Sequence, residues 1–263
     1  MMTLERYETA AAFDESCRKH LLLEEAKNNM FLGGIDAAMS VYSGKRYLFG
    51  EIKTEGHTAL VFLCGAEGHM FLYSPTGGTD QAAYDFLAGA LCAAGVNVNS
   101  VKAEPLCADS FARAYARQTG RTSRISMRMH ILLLKELKPI KVLGLEVRKM
   151  TLEDDYAFTP EQIQFIREGV FGQEGLYFLM KDSIPVSQAA IRRKVSIGGV
   201  YTPGEYRRNG YSSTLVFQLA KRILEDGNPY CVVHTDADHL ISNRMYINMG
   251  FEHIADMKDI VFD

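Results

Sequence analysis

Residues 200–213 read VYTPGEYRRNGYSS. A β-type run from Val195 to Thr202 ends at Pro203, which has no backbone N–H, and a helical apolar pattern starts at about Gly210. At a helix N-terminus the first backbone N–H groups have no intrahelical partner, and the helix dipole adds partial positive charge. The segment therefore predicts a strand, a turn and a helix start that can bind an anion.

The composition of this helix start suits a pyrophosphate. Gly210 lets the backbone approach a bulky phosphate, and the small Ser212 and Ser213 leave the approach open and carry hydroxyl donors. Arg207 and Arg208 add positive charge. The alternative is an ordinary turn with solvated arginines, since Asn-Gly pairs are common in turns. The patterns GxxxxGK[ST] and GxGxxG do not occur in this segment, so classical nucleotide motifs do not explain it.

Apolar patterns predict strands and helices on both sides of this segment. Before it come strands over Leu145–Met150, Leu176–Met180 and Val186–Ile191, with a helix over Glu161–Val170. After it come a helix ending at Gly227, a strand over Tyr230–Thr235, a short helix over Ser242–Met249 and a strand from Phe251.

The first half repeats these landmarks, because a strand, Pro75, two glycines and a helix follow one another there as well. We therefore predict a duplication, with Lys135–Gly144 as the joint and with domains at residues 1–138 and 139–263. The predicted elements are two helices within residues 8–39, strands over Arg46–Lys53, Ala59–Cys64 and His69–Ser74, a helix over Asp80–Ala94, a strand over Val98–Ala103, a helix capped by Asp109 and ending at Thr119, and a strand over Ser126–Leu134.

Composition excludes several classes of function. The 263 residues carry 29 basic and 32 acidic side chains and a net charge of −3, so we expect no nucleic-acid partner. The first ten residues lack a signal-peptide pattern, and apolar runs such as Ala59–Cys64 are too short to span a bilayer, so we expect no membrane partner. The five cysteines are odd in number and widely spaced, as in buried thiols of a cytoplasmic protein. The sequence does not indicate the oligomeric state.

Two motifs resemble those of the GNAT superfamily of acyl-CoA-dependent N-acyltransferases. Arg207 and Gly210 match the first and fourth positions of the family's cofactor motif [RQ]xxGx[GA], and Ser212 is a departure at the last position. Further along, Asn243 and Tyr246 lie one helical turn apart, as in the family's second cofactor segment. His239 is a second departure, because related sequences often have asparagine there.

The resemblance covers about Leu145–Asp263 at the level of motifs. It implies an α/β (α+β) fold with two tandem GNAT-like domains, each a mixed, mostly antiparallel sheet flanked by helices. It also implies acetyl-CoA (coenzyme A) as the acyl donor. The cofactor-binding residues that it implies are Val200, Tyr201, Thr202, Arg207, Arg208, Asn209, Gly210, Tyr211, Ser212, Ser213 and Asn243.

The resemblance implies a direct transfer of the acetyl group to a primary amine, with Tyr246 as the general acid that protonates the leaving sulfur. The general base is not readable from the sequence, which offers Glu174, Asp182, His234 and Asp236 as candidates. The group His234, Asp236, Asp238 and His239 has ligand types that suit zinc, but it reads equally well as a loop and a helix cap, and we expect no metal.

The first half lacks this chemistry. Asp80 stands at the start of its helix, where it would repel a phosphate, and Ala112 stands three positions before Tyr115 where the second half has Asn243. We expect no CoA binding there. The principal reading is an N-acetyltransferase with a small-molecule or peptide amine as acceptor. The alternatives are a non-catalytic acyl-CoA-binding protein and a regulatory interaction protein whose first half docks a partner.

Overall fold

The computed structural model describes residues 1–40, 47–65, 67–151 and 175–263. They divide into two compact units: unit 1 consists of Met1–His130 and Ala255–Asp263, and unit 2 consists of Ile131–Ile254. The expected joint at Lys135–Gly144 lies inside unit 2, and the domain limits at 1–138 and 139–263 stay a prediction. None of the helices in the described ranges is long and apolar enough to cross a membrane.

Unit 1 contains five strands, four helices and parts of two long strands among its described residues. The strands are β1 (Met2–Tyr7), β2 (Leu48–Thr54), β3 (His57–Cys64), β4 (His69–Tyr73) and β5 (Ser100–Ala103). The helices are α1 (Ala10–Leu22), α2 (Asn29–Ser40), α3 (Gln81–Ala93) and α4 (Pro105–Thr119). The long strands β6 (Ser123–Leu134) and β12 (Glu252–Phe262) each contribute residues to both units.

Unit 2 contains the remaining elements of the described chain. Its strands are β7 (Glu146–Lys149), β8 (Leu176–Lys181), β9 (Ile184–Arg192), β10 (Ser196–Tyr201) and β11 (Cys231–Asp236). Its helices are α5 (Tyr211–Glu225) and α6 (Leu240–Asn248).

The two units have the same order of elements. In unit 1 the strands β1 to β4 pair successively in antiparallel fashion, α3 crosses over, β5 pairs with β4 in parallel, and α4 follows. In unit 2 the strands β7 to β10 pair in the same antiparallel manner, α5 crosses over, β11 pairs with β10 in parallel, and α6 follows. The predicted duplication and the mixed, mostly antiparallel sheets with flanking helices are confirmed.

Helix α5 shows why the sequence folds in this way. Its residues Leu215, Leu219 and Ile223 recur at a spacing of four, so they line one face of the helix, and all three are buried. They pack in a core with strand residues such as Val233 and with Tyr246 of α6. This packing fixes the direction of α5 and therefore the place where its N-terminus lies.

Most predicted elements are present, but one strand was missed and one helix start was predicted wrongly. Residues Met2–Tyr7 form the strand β1, although no strand was expected there, and their half-buried pattern comes from pairing with β2. Helix α4 starts at Pro105, so Asp109 lies inside it rather than at its cap; proline suits the first turn because its missing N–H would have no partner there. The helix predicted over Glu161–Val170 and the candidate base Glu174 lie outside the described residues.

Candidate functional site

Strand β10 separates from β11 near its middle. The parallel pairing joins Ser196 with Val232 and Ile197 with Val233, and it goes no further among the described residues although β11 continues to Asp236. On its other side β10 stays paired with β9, with an irregular register after Gly198. The N–H and C=O groups on the β11-facing edge beyond Ile197 are therefore open to an extended chain that carries amide groups.

The open end of β10 is held from the β9 side. The hydroxyl of the buried Ser187 donates a hydrogen bond to the carbonyl oxygen of Tyr201 at 3.2 Å and lies 2.9 Å from the hydroxyl oxygen of Thr202. These contacts hold the end of β10 from the β9 side and involve no group on the edge of β10 that faces β11. Val200, Tyr201 and Thr202 lie beyond the last residue of β10 that pairs with β11.

The loop after β10 is braced by its own polar side chains. A short 3₁₀ turn covers Gly204–Tyr206, and the Nε of Arg207 donates to the carbonyl oxygen of Thr202 at 3.0 Å. The Nδ2 of Asn209 donates to the carbonyl oxygens of Tyr206 and Arg207, at 3.1 and 3.0 Å. Arg207 and Asn209 therefore shape the loop. The exposed Arg208, which adopts φ = 64°, keeps its side chain on the loop surface.

Gly210 is the N-cap of α5. It has φ = 78°, a left-handed conformation that glycine adopts without strain, and a Cβ atom added to it would meet nothing within 4 Å. No side chain caps this helix, and the first intrahelical hydrogen bond in its first turn runs from the Thr214 N–H to the Gly210 carbonyl, at 2.9 Å. The N–H groups of Tyr211, Ser212 and Ser213 precede it, so this end can receive an anion.

An open groove of about 450 Å³ adjoins this helix start inside unit 2. Its volume falls within the range of about 300–1,000 Å³ that is usual for small-molecule sites. One wall is the start of α5, the second is α6, and the third is the chain segment that precedes β7. The lining residues are Ile140, Lys141, Leu143, Asn209, Gly210, Ser213, Ile241, Arg244, Met245, Asn248 and Met249.

The segment between β11 and α6 is organised by Asn243 and His239. The Nδ2 of Asn243 donates to the carbonyl oxygens of Asp236 and Ala237, at 3.0 and 3.1 Å. Its Oδ1 is buried and has no hydrogen-bond partner among the described residues. His239 caps α6 by accepting from the Ser242 N–H at 3.2 Å, and Asp236 accepts from the Asp238 N–H. These contacts agree with the loop and cap interpretation of the segment.

Tyr246 lies in the core of unit 2. Its side chain is buried, and its ring contacts that of Phe251 edge-on, with 5.5 Å between the centroids. Burial, and after it the charge of a Cys231 thiolate, raises the pKa of the Tyr246 phenol to about 12, so the hydroxyl is protonated throughout the neutral range. Within the described parts of the chain, no hydrogen bond to this hydroxyl is formed.

Sequence reasoning missed three contributors to this region. Ser187 gave a weak signal, as a hydroxyl in a strand whose neighbouring residues are mostly apolar. Lys141 and Arg244 gave none, because a groove formed by three distant segments has no local pattern.

The chain matches one family model in sequence and several solved structures in fold. Residues 184–259 match the family model of FR47-like proteins. A Drosophila protein of known structure covers 99% of this chain with 98% of its own length, at a TM-score of 0.73 and 10% identity. A tandem GNAT protein from the clavulanic acid biosynthesis pathway covers 100% of this chain with 98% of its own length, at a TM-score of 0.61 and 11% identity. A GNAT-family acetyltransferase from Colwellia psychrerythraea covers 99% of this chain with 98% of its own length, at a TM-score of 0.59 and 11% identity.

No curated protein matches the chain in sequence. The structural similarities span nearly the whole length of each chain, and they confirm the GNAT fold in its double arrangement. The FR47-like match lies within the second half of the chain and runs from β9 into β12.

Proposed function

We propose that unit 2 binds acetyl-CoA and transfers its acetyl group to a primary amine. The observation that carries the proposal is that the opening between β10 and β11 leads, along a single stretch of chain, to an uncapped helix start. An open strand edge suits the amide groups of pantetheine, and an uncapped helix start suits a pyrophosphate. Acetyl-CoA presents these two groups next to each other.

The residues of unit 2 fit this donor in three respects. A ligand can approach Gly210 closely because, apart from Gly210 and its two chain neighbours, no protein atom lies within 4 Å of the position of an added Cβ. The exposed Arg208 supplies positive charge beside the helix start. The orphaned Oδ1 of Asn243 offers a buried acceptor in the second cofactor segment.

The parts of the donor would be held by two groups of residues. The pantetheine arm would be held by backbone hydrogen bonds from Val200, Tyr201 and Thr202. The pyrophosphate would be held by the N–H groups of Tyr211, Ser212 and Ser213.

The reaction forms a C–N bond and breaks the C–S bond of the thioester. The amine loses a proton, and the leaving sulfur gains one. We assign the second proton to Tyr246, whose raised pKa keeps it protonated and whose hydroxyl has no competing hydrogen bond among the described residues. The acceptor of the first proton stays open. Of the candidates, Asp236 already accepts from the Asp238 N–H, and Asp182 lies in the turn between β8 and β9 with φ = 49°.

The test is a titration of acetyl-CoA into the purified protein, followed by a screen of primary amines in which release of free CoA thiol is measured. Saturable binding and amine-dependent thiol release are expected. Binding without turnover on any amine, including peptide N-termini, would leave the non-catalytic acyl-CoA-binding protein as the better account. Absence of binding would refute the proposal.

A further inference from the structure

The groove beside α5 carries a charge pattern of its own. Lys141 and Arg244 line it, both are exposed, and neither forms an ion pair with a described residue. The described lining contains no acidic side chain. The groove therefore combines two unneutralised cations with partly apolar walls that include Met245 and Met249.

Lys141 is held in place although it lies outside any helix or strand. The N–H of Lys138 donates to the carbonyl oxygen of Met249 at 2.9 Å, and the N–H of Leu143 donates to the hydroxyl of Thr214 at 3.1 Å. These two hydrogen bonds tie the segment to the end of α6 and to the first turn of α5. A cation on a segment that is anchored at both ends loses less entropy on binding than one on a free loop.

The chemistry of CoA determines what can lie in the groove. In CoA the pyrophosphate joins pantetheine to a ribose that carries a 3′-phosphate and adenine. If pantetheine follows β10 and the pyrophosphate lies at Gly210, the ribose must continue past the helix start. The groove shares Asn209, Gly210 and Ser213 with that start, so it is the space that the chain of CoA enters next.

We propose that Lys141 and Arg244 bind the 3′-phosphate of CoA and make the site discriminate CoA from dephospho-CoA. This inference rests on the proposed function and deepens it. A dianionic phosphate between two free cations forms charge-assisted hydrogen bonds, whereas dephospho-CoA offers only a hydroxyl there. The Lys141→Met and Arg244→Met variants remove charge but keep the apolar length of the side chains.

The experiment is calorimetric titration of CoA and dephospho-CoA at one fixed ionic strength. We expect the wild type to bind CoA about tenfold more tightly than dephospho-CoA. Lys141→Met with Arg244→Met should bring the ratio close to one by weakening CoA alone. Lys221→Met is the matched control, because Lys221 is exposed on α5, pairs with Glu225 and lies outside the groove lining. It should keep the tenfold ratio.

Equal affinities of the wild type for the two ligands would overturn the inference but leave the proposed function standing. So would variants that weaken both ligands equally, which would indicate a general loss of the site. Binding of neither ligand would refute the proposed function itself. Thermal unfolding of each variant serves as the control for folding, and because both side chains are exposed, we expect no change in Tm.

Discussion

The helices that follow the fourth strand of each unit begin in opposite ways. In unit 1 the carboxylate of Asp80 caps α3 by accepting from the Ala83 N–H at 3.3 Å. In unit 2 Gly210 begins α5 with no side-chain cap. The same topology therefore presents one helix start that a side chain caps and one that no side chain caps. An open helix end, rather than the fold alone, indicates where an anion can bind.

The space around the start of α3 is crowded, whereas the space around the start of α5 is open. A Cβ atom on Gly78 would lie 2.8 Å from the Sγ of Cys107 and from the hydroxyl of Tyr84, while one on Gly210 would meet nothing. At the end of the parallel strands of unit 1 the cavity measures about 10 Å³, room for about one water molecule, and the ion pair between Lys27 and Glu104 borders it. Unit 1 has filled with side chains the space that unit 2 keeps open.

The two units also differ at the tyrosines of α4 and α6, the helices that follow the parallel strands. In unit 1 the hydroxyl of Tyr115 accepts a hydrogen bond from the Val98 N–H at 2.9 Å. In unit 2 the hydroxyl of Tyr246 has no partner in the described ranges. Tyr115 therefore serves the structure of unit 1, whereas the described part of unit 2 assigns no such contact to Tyr246.

The largest effect is expected from giving α5 the cap that α3 has. Gly210→Asp should weaken acetyl-CoA binding by about 10²–10³-fold, roughly 3–4 kcal/mol, because the carboxylate occupies the N–H groups and repels phosphate. Gly210→Asn has nearly the same shape and the same backbone strain without the charge, so it should lose less. Calorimetric titration measures both. Equal losses for the two variants would contradict the assignment of a phosphate to this helix start.

Tyr246→Phe should lower turnover about 10²-fold and leave the Kd for acetyl-CoA unchanged, since only the acid is removed. The measurement is the steady-state release of CoA thiol with an accepted amine. Because burial raises the pKa of Tyr246 to about 12, ionisation of this group should not lower the rate below about pH 11. A Tyr246→Phe variant with full turnover would exclude the phenol as the acid.

Tyr115→Phe should have the opposite effect to Tyr246→Phe, because it should lower stability and not turnover. It leaves the buried Val98 N–H without its acceptor, which costs about 1–3 kcal/mol of unfolding free energy, and it should leave turnover unchanged. Chemical denaturation and the thiol assay on the same preparation measure the two effects. A loss of turnover in a protein that is still folded would show that unit 1 takes part in the chemistry.

The smallest effect is expected from removing the cap of α3. Asp80→Ala should reduce stability by about 1 kcal/mol, and Asp80→Asn, which can still accept from the Ala83 N–H, by less. Neither should create a second acetyl-CoA site, because the strand opening of unit 1 is already filled. Thermal unfolding and the stoichiometry of titration report on the two points. Two molecules bound per chain of Asp80→Ala would mean that the cap alone had closed the site.

The sequence predicted the parts of this picture that depend on local patterns. The strand, the turn and the glycine at the start of α5 lie in one segment, and the periodicity of α5 is clear, so both could be recognised. Strand β1 could not, because its half-buried pattern depends on pairing with the distant β2. The groove could not be predicted either, because Lys141, Gly210 and Arg244 come together only through packing of the segment before β7 against α5 and α6.

The most direct test of the contrast between the units is hydrogen–deuterium exchange of the unmodified protein with and without saturating acetyl-CoA. The exchange rates at the starts of α3 and α5 are then measured in the same sample. We predict slower exchange upon binding in peptides that cover β10 and Tyr211–Thr214, and no change in peptides that cover Thr76–Ala83. Protection at Thr76–Ala83, or no protection at α5 under conditions where acetyl-CoA is bound, would contradict the account.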